Sequence, residues 1–495
     1  MRIVFDWPKS SQSFFMKEKS WYKPKAFTHL SKKLFLQDEK WITDYVSNPL
    51  NIANHKFFPL IHRTIAVKRF KWGESKDGKK VKRHYTFVKG ARKSNVKFRE
   101  IFYPTHLDSH IYSYYTNKIL GPKYEAILKA NPNLDEAVLA YRRIASHDGF
   151  RNKNNIDFAN EVFEHISKLK GEQIVLALDI SKFFDGLDHK LLKKAWYQLF
   201  DDKKNLEKDH YNVFKSLTQF HYVELSDVVN ALNFKHPNDI IRNNISVFFD
   251  DSKDFREKIV QKGLIKKNPF RKINADETKD VIGIPQGTPM SAFLANLYLL
   301  GFDNDVLEII KDCKGIYRRY SDDLVIICPY VDAEVIENKI YKLIKDYNLV
   351  IQKAKTQKTL FNDGRLEKGA KPFGYLGFEF DGKRKYIRPS SLSKFFRKMK
   401  SNVKYRAGRA RLAKLKNLRG YNVDETLHRK QLYKRFTYLG SKAVDFKKRN
   451  YVSYAQLATR TMNCPEINNQ LSSAWKTIHS EIEKWEDRYD LKKLK

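Results

Sequence analysis

The sequence is poor in the features that mark secreted, membrane-embedded or repetitive proteins. It has only three cysteines in 495 residues, Cys313, Cys328 and Cys464, and their spacing fits neither a metal site nor a disulfide framework. No apolar run approaches the length that crosses a membrane, and the N-terminus lacks the apolar core of a signal peptide. No internal repeat and no long Pro/Gly/Ser linker is present. These absences predict a folded protein of the reducing cytoplasm.

Acidic residues are also scarce relative to basic ones. The chain has 57 Asp and Glu against 95 Lys and Arg, which gives a formal net charge of +38. Self-repulsion of this size favours a polyanionic partner, with nucleic acid as the first candidate and an anionic membrane surface as the second. A solvated excess without function is the remaining alternative. A hydrophobic content of 42% is enough for a substantial core in two to four subdomains.

The segment between residues 174 and 352 has the clearest periodicity. It predicts, in chain order, a buried strand at 174–179, a helix capped by Asp188, a helix at 289–311, a hairpin around Ser321 and Asp322, an amphipathic helix in DAEVIENKIYKLIKDY, and a strand at 349–352. Such an order of strands and helices is typical of the split-βαβ arrangement, a small antiparallel sheet backed by helices on one face. We therefore expect an α+β fold.

A strongly basic hairpin precedes this segment. The stretch TIAVKRFKWGESKDGKKVKRHYTFVKG contains two alternating runs around a Lys-Asp-Gly turn. It is either an ordinary solvated hairpin or a flap that contacts phosphates.

The segment from Ser391 to Gly420 lacks acidic residues altogether. It has eleven Lys and Arg, with apolar residues at roughly helical intervals. The pattern predicts a helix that lies along a phosphate backbone, and a disordered basic tail is the alternative. Four of the cations, Arg397, Lys398, Lys400 and Lys404, are expected on the solvent face and are the candidate nucleic-acid contacts.

Three aspartates are the main candidates for chemistry. Asp322 and Asp323 are adjacent in YRRYSDDLVIICPY, between two apolar runs, and Asp179 ends the strand IVLALD. In an antiparallel sheet, the end of one strand can lie beside the turn of a neighbouring hairpin. Three hard oxygen ligands gathered in this way suit Mg²⁺, or Mn²⁺ as an alternative. Taken alone, an Asp-Asp pair is usually a solvated turn.

The stretch GIPQGTPMSAFLANLYL is the second candidate element. Gly287 permits close backbone approach, and Pro289 suits the start of a helix. Gln286 and the helix start could face a base pair or the sugar of a nucleotide. A plain loop before a helix is the alternative.

Together these motifs resemble a known family. Asp179 with Phe184 five residues later, then PQG, YSDD, KAKTQKT and FGYLGFEF, is similar to the ordered motif series of reverse transcriptases, from about residue 97 to 390. The resemblance is greatest to the bacterial group that includes retron and group II intron enzymes. The stretch YRRIASHDGFRNKNNIDFANEVFEHI resembles the unknown-group and abortive-infection reverse transcriptases, which are linked to phage defence.

The resemblance implies a role for each matching residue. Asp179, Asp322, Asp323 and the backbone of Ile180 would bind two Mg²⁺ ions, which activate a 3′-hydroxyl and stabilise the pyrophosphate leaving group. Lys355 matches a lysine proposed to protonate pyrophosphate, and Phe184 matches the aromatic gate under the sugar 2′ position. The remaining matches are the following: Lys182 and Phe183 border the triphosphate, Gln286 and Gly287 belong to the nucleotide pocket, residues 373–378 form the primer grip, and Arg99 with Arg142 or Arg143 lie in the fingers, where they could touch phosphates.

The resemblance also implies an architecture, a right-hand polymerase. Its parts are a helical extension at 1–60, fingers at 61–173, a palm at 174–390 with an insertion near 200–278, and a basic, α-helical, thumb-like domain at 391–495. The insertion could be an oligomer contact, an RNA contact or mere decoration.

The expected function is RNA-directed DNA synthesis from a small noncoding RNA, with dNTPs as substrates and cDNA as product, in antiphage defence. We expect no membrane partner, and a homo-oligomer is left open. One alternative is a template-independent polymerase, or one primed by a tyrosine hydroxyl. The other is a catalytically silent RNA-binding scaffold.

Overall fold

The computed structural model describes residues 21–491 except 69, 76, 89–90, 148, 150, 201–204, 274–276 and 441–448. The predictions made for residues 1–20, and those parts of the predicted insertion and C-terminal domain that fall in the gaps, lie outside the described residues. The chain divides into two units. The first comprises Met1–Arg142, Leu178–Val325 and Glu334–Thr356, and the second comprises Arg143–Ala177, Ile326–Ala333 and Gln357–Lys495.

The strands of the described chain are mostly short. They are β1 (Leu60–Lys68), β2 (Lys71–Glu74), β3 (Lys80–Arg83), β4 (Tyr85–Val88), β5 (Ala91–Ser94), β6 (Val96–Tyr103), β7 (Glu172–Asp179), β8 (His221–Glu224), β9 (Lys266–Lys267), β10 (Arg271–Ile273), β11 (Lys279–Val281), β12 (Ile316–Tyr320), β13 (Asp323–Pro329), β14 (Gln357–Asn362), β15 (Arg365–Leu366), β16 (Phe373–Tyr375), β17 (Phe378–Phe380) and β18 (Lys385–Ile387).

The helices range from a single turn to a long rod. They are α1 (Glu39–Ser47), α2 (Pro49–Asn54), α3 (His106–Tyr114), α4 (Gly121–Ala130), α5 (Pro132–Ala137), α6 (Asn155–Lys168), α7 (His189–Gln198), α8 (Lys208–Thr218), α9 (Leu225–Ala231), α10 (Asn238–Arg242), α11 (Ser252–Phe255), α12 (Ser291–Tyr298), α13 (Leu300–Lys311), α14 (Ala333–Asp346), α15 (Pro389–Asn417), α16 (Arg429–Phe436), α17 (Tyr451–Thr461), α18 (Glu466–Asn469) and α19 (Ala474–Tyr489).

The predicted split-βαβ sheet is present. Its strands are arranged in the order β12-β13-β7-β14-β15, so β7, β12, β13 and β14 form the four strands of the β-α-β-β-α-β motif. β14 pairs antiparallel with β7, from Gln357 opposite Ala177 to Asn362 opposite Glu172. The five residues 324–328 of β13 are all buried, which explains why this strand is a continuous apolar run rather than an alternating one. Asp188 caps α7 as expected, since its carboxylate accepts from the backbone N–H of Lys190 and of Leu191.

Two element predictions in this segment are wrong. Residues 349–352 are not a strand of the sheet, because only Ile351 forms an isolated bridge, to Ile180. The alternation that suggested a strand arises because Leu349 and Ile351 are buried and Val350 is exposed. Residues 289–311 form two helices, α12 and α13, which separate at Leu299. The residues around the break, Leu297 to Leu300, are all apolar, so periodicity alone hides it.

The basic hairpin is part of a four-stranded sheet. β2 and β3 pair antiparallel, from Lys71 opposite Arg83 to Glu74 opposite Lys80, and the strand order is β3-β2-β4-β5.

The predicted insertion is an integral part of the first unit. β8 adds in parallel to β1, which in turn pairs antiparallel with β6, so the sheet has the order β6-β1-β8-β9. The imidazole of His62 contacts Glu100 through Nε2 and Glu224 through Nδ1, both at 2.6 Å. Ile61 and Val223 share a buried apolar cluster with residues of α9 and α10. Mere decoration is therefore the wrong interpretation of this segment.

The basic segment after residue 390 is a helix. α15 runs for 29 residues, and its buried side chains recur every three or four positions, at Phe395, Met399, Val403, Ala407, Ala410 and Ala413. α15 packs against α19 and α16, and Phe395 contacts the rings of Phe436 and Tyr451.

The predicted class, α+β with a split-βαβ sheet followed by a basic helical region, is confirmed. Nowhere in the described ranges is a helix both long enough and apolar enough to span a bilayer.

Candidate active site

The end of β7 meets the turn between β12 and β13 within the first unit. The backbone N–H of Ile180 donates to the carbonyl oxygen of Asp322 at 2.9 Å, directly after Asp179. Asp179, Ile180 and Asp322 line one cavity of about 810 Å³. Asp323 is the next residue along, exposed, and the first of β13. The structure therefore brings Asp179 and Asp322 to one place, as the sequence predicts.

The turn that carries Asp322 has a left-handed residue at its tip. Ser321 has φ 61° and is buried, and its Oγ lies 3.0 Å from the hydroxyl of Tyr141. Tyr141 also has a positive φ, 64°, and lines the same cavity. Two non-glycine residues in a sparsely populated conformation, joined at a cavity that holds carboxylates, are typical of a functional site.

A buried ion pair lies beneath this turn. The guanidinium of Arg319 donates to both carboxylate oxygens of Asp303, at 2.7 and 2.6 Å, and to Asn296 Oδ1 at 2.9 Å. Burial alone would lower the pKa of Arg319, but the carboxylate of Asp303 raises it, so the guanidinium remains charged. The amide of Asn296 in turn donates to the carbonyl of Ala140 at 2.7 Å, which anchors the loop that carries Tyr141.

The sequence analysis did not predict this network of Arg319, Asp303 and Asn296, which we call the Arg319 brace. Asp303 and Asn296 lie 16 and 23 residues before Arg319, on other elements, and the only sequence signal was the pair of arginines, Arg318 and Arg319, in the strand before the aspartates. Removing either charge would leave the other buried and unpaired, which typically costs about 3–5 kcal/mol.

Lys355 is the cation closest to Asp179. Its ammonium group forms an ion pair with the Asp179 carboxylate, and the nearby backbone N–H of Gln352 donates to the Asp179 carbonyl at 2.8 Å. Lys355 is the last residue of a short 3-10 turn and is about 42% exposed. It therefore neutralises part of the negative charge while remaining accessible to a ligand.

The donor set of the cavity fits Mg²⁺. The carboxylates of Asp179 and Asp322 and the main chain of Ile180 offer oxygen ligands, and Mg²⁺ is usually held by one or two carboxylates together with substrate phosphates. Across the residues that the structure describes, no group of three His, Cys, Asp or Glu side chains could hold an ion by itself. These protein groups would hold a divalent ion only together with further oxygen ligands, such as those of a phosphate.

The other wall of the cavity comes from residues 181–185. Phe184 is half-buried and lines the cavity, whereas the neighbouring Phe183 is only 4% exposed and anchors the segment in the core. Lys182 has φ 46° and lies in the same wall. Burial raises the pKa of Asp185, and the negative charge of Glu100 raises it further, whereas the positive charge of Lys182 lowers it.

Gln286 and Gly287 are held against β6. The backbone N–H of Phe102 donates to the Gln286 carbonyl at 2.9 Å. Gly287 has φ 125°, and a Cβ at this position would lie 2.6 Å from the Phe102 carbonyl oxygen. Only glycine fits this approach, which places Gln286 in the cavity wall.

The three candidate arginines of the fingers have different positions. Arg99, on β6, lines the cavity. Arg142 does not, because its guanidinium is 3% exposed and pairs with Glu125 and Asp135. A phosphate-contacting role for Arg142 is therefore the wrong interpretation. Arg143 is exposed and lies in the second unit.

The four predicted nucleic-acid contacts on α15 do not share one environment. All are exposed, but Lys400 pairs with Glu481 at 3.4 Å and Lys404 lies 5.2 Å from the ring centroid of Trp485, so both lie against α19. All four thus lie on the exposed side of α15, as expected, although Lys400 and Lys404 also contact α19. Lys398 instead lines a second cavity, in the second unit.

Comparison with known proteins identifies one family. Residues 218–380 match the family model described as reverse transcriptase (RNA-dependent DNA polymerase). This range includes Gln286, Gly287, Asp322, Asp323 and Lys355, whereas Asp179 and Phe184 precede it. No curated protein sequence matches the chain.

Several solved structures resemble the chain weakly. An apo telomerase from Candida tropicalis, truncated from its C-terminal domain, is 11% identical, with a TM-score of 0.37 over 69% of this chain and 57% of that one. A telomerase from Candida albicans in complex with a TWJ fragment of telomeric RNA is 13% identical, with a TM-score of 0.36 over 92% and 66%. The RNA-dependent RNA polymerase of a human picobirnavirus is 12% identical, with a TM-score of 0.31 over 60% and 46%.

At such TM-scores these likenesses carry no weight, and the chain spans less than two thirds of the length of each of these structures. The family match carries the assignment. The chain contains, at residues 218–380, a reverse transcriptase (RNA-dependent DNA polymerase) domain, the domain of a nucleotidyl-transferring polymerase.

Proposed function

We propose that the protein is an RNA-directed DNA polymerase that copies a small noncoding RNA into cDNA. One observation carries the proposal: Asp179 and Asp322 line a single cavity together with Phe184, Gln286 and Lys355. A volume of about 810 Å³ suits a nucleotide. The residues that match the reverse transcriptase family model include Asp322, Gln286 and Lys355 of this set.

Asp179, Asp322, Asp323 and the backbone of Ile180 would hold two Mg²⁺ ions. When bound, such ions activate the attacking 3′-hydroxyl and stabilise the leaving pyrophosphate. The ammonium of Lys355 already pairs with Asp179, so it is positioned to approach phosphate oxygens and to give a proton to the pyrophosphate as it leaves.

The remaining wall would select the nucleotide. Phe184 would lie under the sugar and exclude a 2′-hydroxyl, which favours dNTPs over rNTPs. Lys182 and Arg99 would neutralise the triphosphate, and Gln286 would contact the nucleotide through a loop that Gly287 holds against β6.

The template would be a small RNA, and the setting antiphage defence in the cytoplasm. The support is the charge of +38, which exceeds what one cavity requires, and the resemblance to abortive-infection reverse transcriptases. A homo-oligomer is compatible with this role.

The double variant Asp322→Ala with Asp323→Ala tests the proposal. DNA synthesis on a primed RNA should be abolished, whereas RNA binding should persist, because fewer carboxylates only increase the positive field. Asp312→Ala with Glu334→Ala is the matched control, since both are exposed helix-terminal carboxylates outside the cavity. Synthesis by the first variant at the rate of the control would exclude this cavity as the polymerase site.

A further inference from the structure

The second unit contains a cavity that the proposed reaction does not use. It has a volume of about 750 Å³ and lies between α15, α16 and the start of α17. Five cations line it, Lys394, Lys398, Lys434, Arg435 and Arg449, and none of the described residues in its wall is acidic. A concave surface of one sign focuses the field on an anion.

Aromatic side chains form the apolar part of the same wall. Phe395, Phe436 and Tyr451 line the cavity. Tyr451 stacks on Phe395, with ring centroids 4.9 Å apart and planes inclined by 22°. Tyr451 also lies near Tyr454, with ring centroids 5.8 Å apart and planes inclined by 25°, and it is the least buried of the three rings in the wall.

Cations beside aromatic rings are how proteins hold single-stranded nucleic acid. The cations bind phosphates and the rings stack on bases, at roughly 1–3 kcal/mol per base. The cavity has the volume of a small-molecule pocket, typically about 300–1,000 Å³, and so suits one unstacked nucleotide rather than a duplex.

The environment of α15 favours this side of the helix. Lys400 and Lys404 lie against α19, whereas Lys394 and Lys398 face the cavity. The helix thus directs two cations, one turn apart, toward the same concave surface.

We propose that this cavity binds a single unstacked nucleotide, with its phosphate on Lys394, Lys398 and Lys434 and its base against the aromatic wall. This proposal rests on the proposed function in one respect, namely that the bound nucleotide is part of the RNA strand. Binding at this cavity does not require the protein to catalyse synthesis. A free nucleotide has the same chemistry, so the test separates the two sources.

The test measures binding in the full chain with Asp322→Ala and Asp323→Ala, so that no turnover occurs. The probes are a single-stranded RNA decamer with one 2-aminopurine, and free 2-aminopurine riboside triphosphate. Base stacking on an aromatic ring should quench the fluorescence of the probe that binds. Quenching of the decamer alone assigns the site to an RNA strand, and equal quenching of the triphosphate assigns it to a free nucleotide.

Lys394→Gln, Lys398→Gln and Lys434→Gln together should reduce affinity by about tenfold or more at 0.15 M salt and flatten the log–log salt slope by about 0.7, since the three cations bind one phosphate and each neutralised phosphate contributes roughly 0.7. Arg419→Gln, Lys476→Gln and Lys484→Gln form the matched control, because these are exposed cations of the second unit outside the cavity. The control should change affinity by less than about threefold.

A second variant tests the aromatic wall. Tyr451→Leu should abolish quenching with little change in the salt slope, whereas Tyr451→Phe should retain it, because the Tyr451 hydroxyl has no hydrogen-bond partner within the described ranges. Equal losses in the two cation triples would overturn the proposal in favour of a diffuse field. Displacement of the RNA by inorganic triphosphate as effectively as by the nucleotide, or no quenching in the unaltered cavity, would also overturn it.

Discussion

At the scale of single residues, the cavity depends on contacts between distant parts of the chain. The aspartates, Gln286 and Gly287 could be predicted from the sequence because each stands in a short motif whose chemistry is local. The contact of Tyr141 with Ser321, 180 residues away, could not be predicted from the sequence, and neither could the ion pair of Arg319, whose partner Asp303 lies on a different element, α13. The sequence likewise does not show that Glu125 and Asp135 pair with Arg142.

The hydrogen bond between Tyr141 and Ser321 should position the aspartate turn. Tyr141→Phe and Ser321→Ala each remove this hydrogen bond. Each should lower kcat by a factor that corresponds to about 0.5–1.5 kcal/mol, with a smaller change in KM. The double variant should be no worse than the poorer single variant, which a double-mutant cycle measures. Tyr330→Phe, at an exposed tyrosine outside the cavity, is the control. Fully additive losses would show that the two side chains act independently.

At the scale of elements, the apolar pattern predicted which helices and strands exist better than it predicted where they begin and end. The order β7, β12, β13, α14 and β14 follows from periodicity, but the last strand lies at 357–362, and residues 349–352 merely imitate its alternation. The predicted insertion was misjudged for a related reason. β8 has four residues, and its place beside β1 depends on a long-range parallel pairing that no local pattern reveals.

Replacement by alanine should change the free energy of unfolding in opposite directions at Gly287, in a loop, and at Gly408, in α15. Gly287→Ala should reduce both synthesis and stability, because alanine at φ 125° is strained and its Cβ would lie 2.6 Å from the Phe102 carbonyl oxygen. Gly408→Ala should stabilise the protein by about 0.5–1 kcal/mol, since nothing lies within 4 Å of the added Cβ on α15. Chemical denaturation of both variants measures this. Equal stability of the two would mean that the loop relaxes away from β6.

At the scale of the whole molecule, charge and burial set the response to solution conditions. The net charge of +38 predicts a polyanionic partner from composition alone. The described structure shows in addition that cations line two cavities. Composition does not reveal the buried histidines of the first unit. His110 stacks on Tyr22 at 4.3 Å, and its ring nitrogens are buried without a partner in the described part of the chain.

These histidines should make the protein sensitive to acid. Burial, helped by the positive charges of Lys25 and His106, lowers the pKa of His110 from 6.5 to about 4, and burial also lowers the pKa of His29 to about 3. The unfolded chain therefore binds protons more readily, so the free energy of unfolding should fall as the pH drops from about 6.5 toward 4 and be nearly constant above 7. Thermal unfolding at several pH values measures this.

His110→Phe is the informative variant for this dependence. Phenylalanine keeps the stacked ring and removes the group that takes up a proton, so the loss of stability below pH 6.5 should become shallower. An unchanged pH profile would assign the acid sensitivity to other groups.

The central claim is that the protein copies RNA into DNA at the cavity lined by Asp179 and Asp322. Sequencing of the reaction products tests it most directly. Purified protein is incubated with a primed RNA of defined sequence, Mg²⁺, and either dNTPs or rNTPs, and the products are sequenced. We predict DNA complementary to the template from the dNTP reaction, little product from the rNTP reaction, and none from Asp322→Ala with Asp323→Ala. Product unrelated to the template, or product that persists in that variant, would contradict the claim.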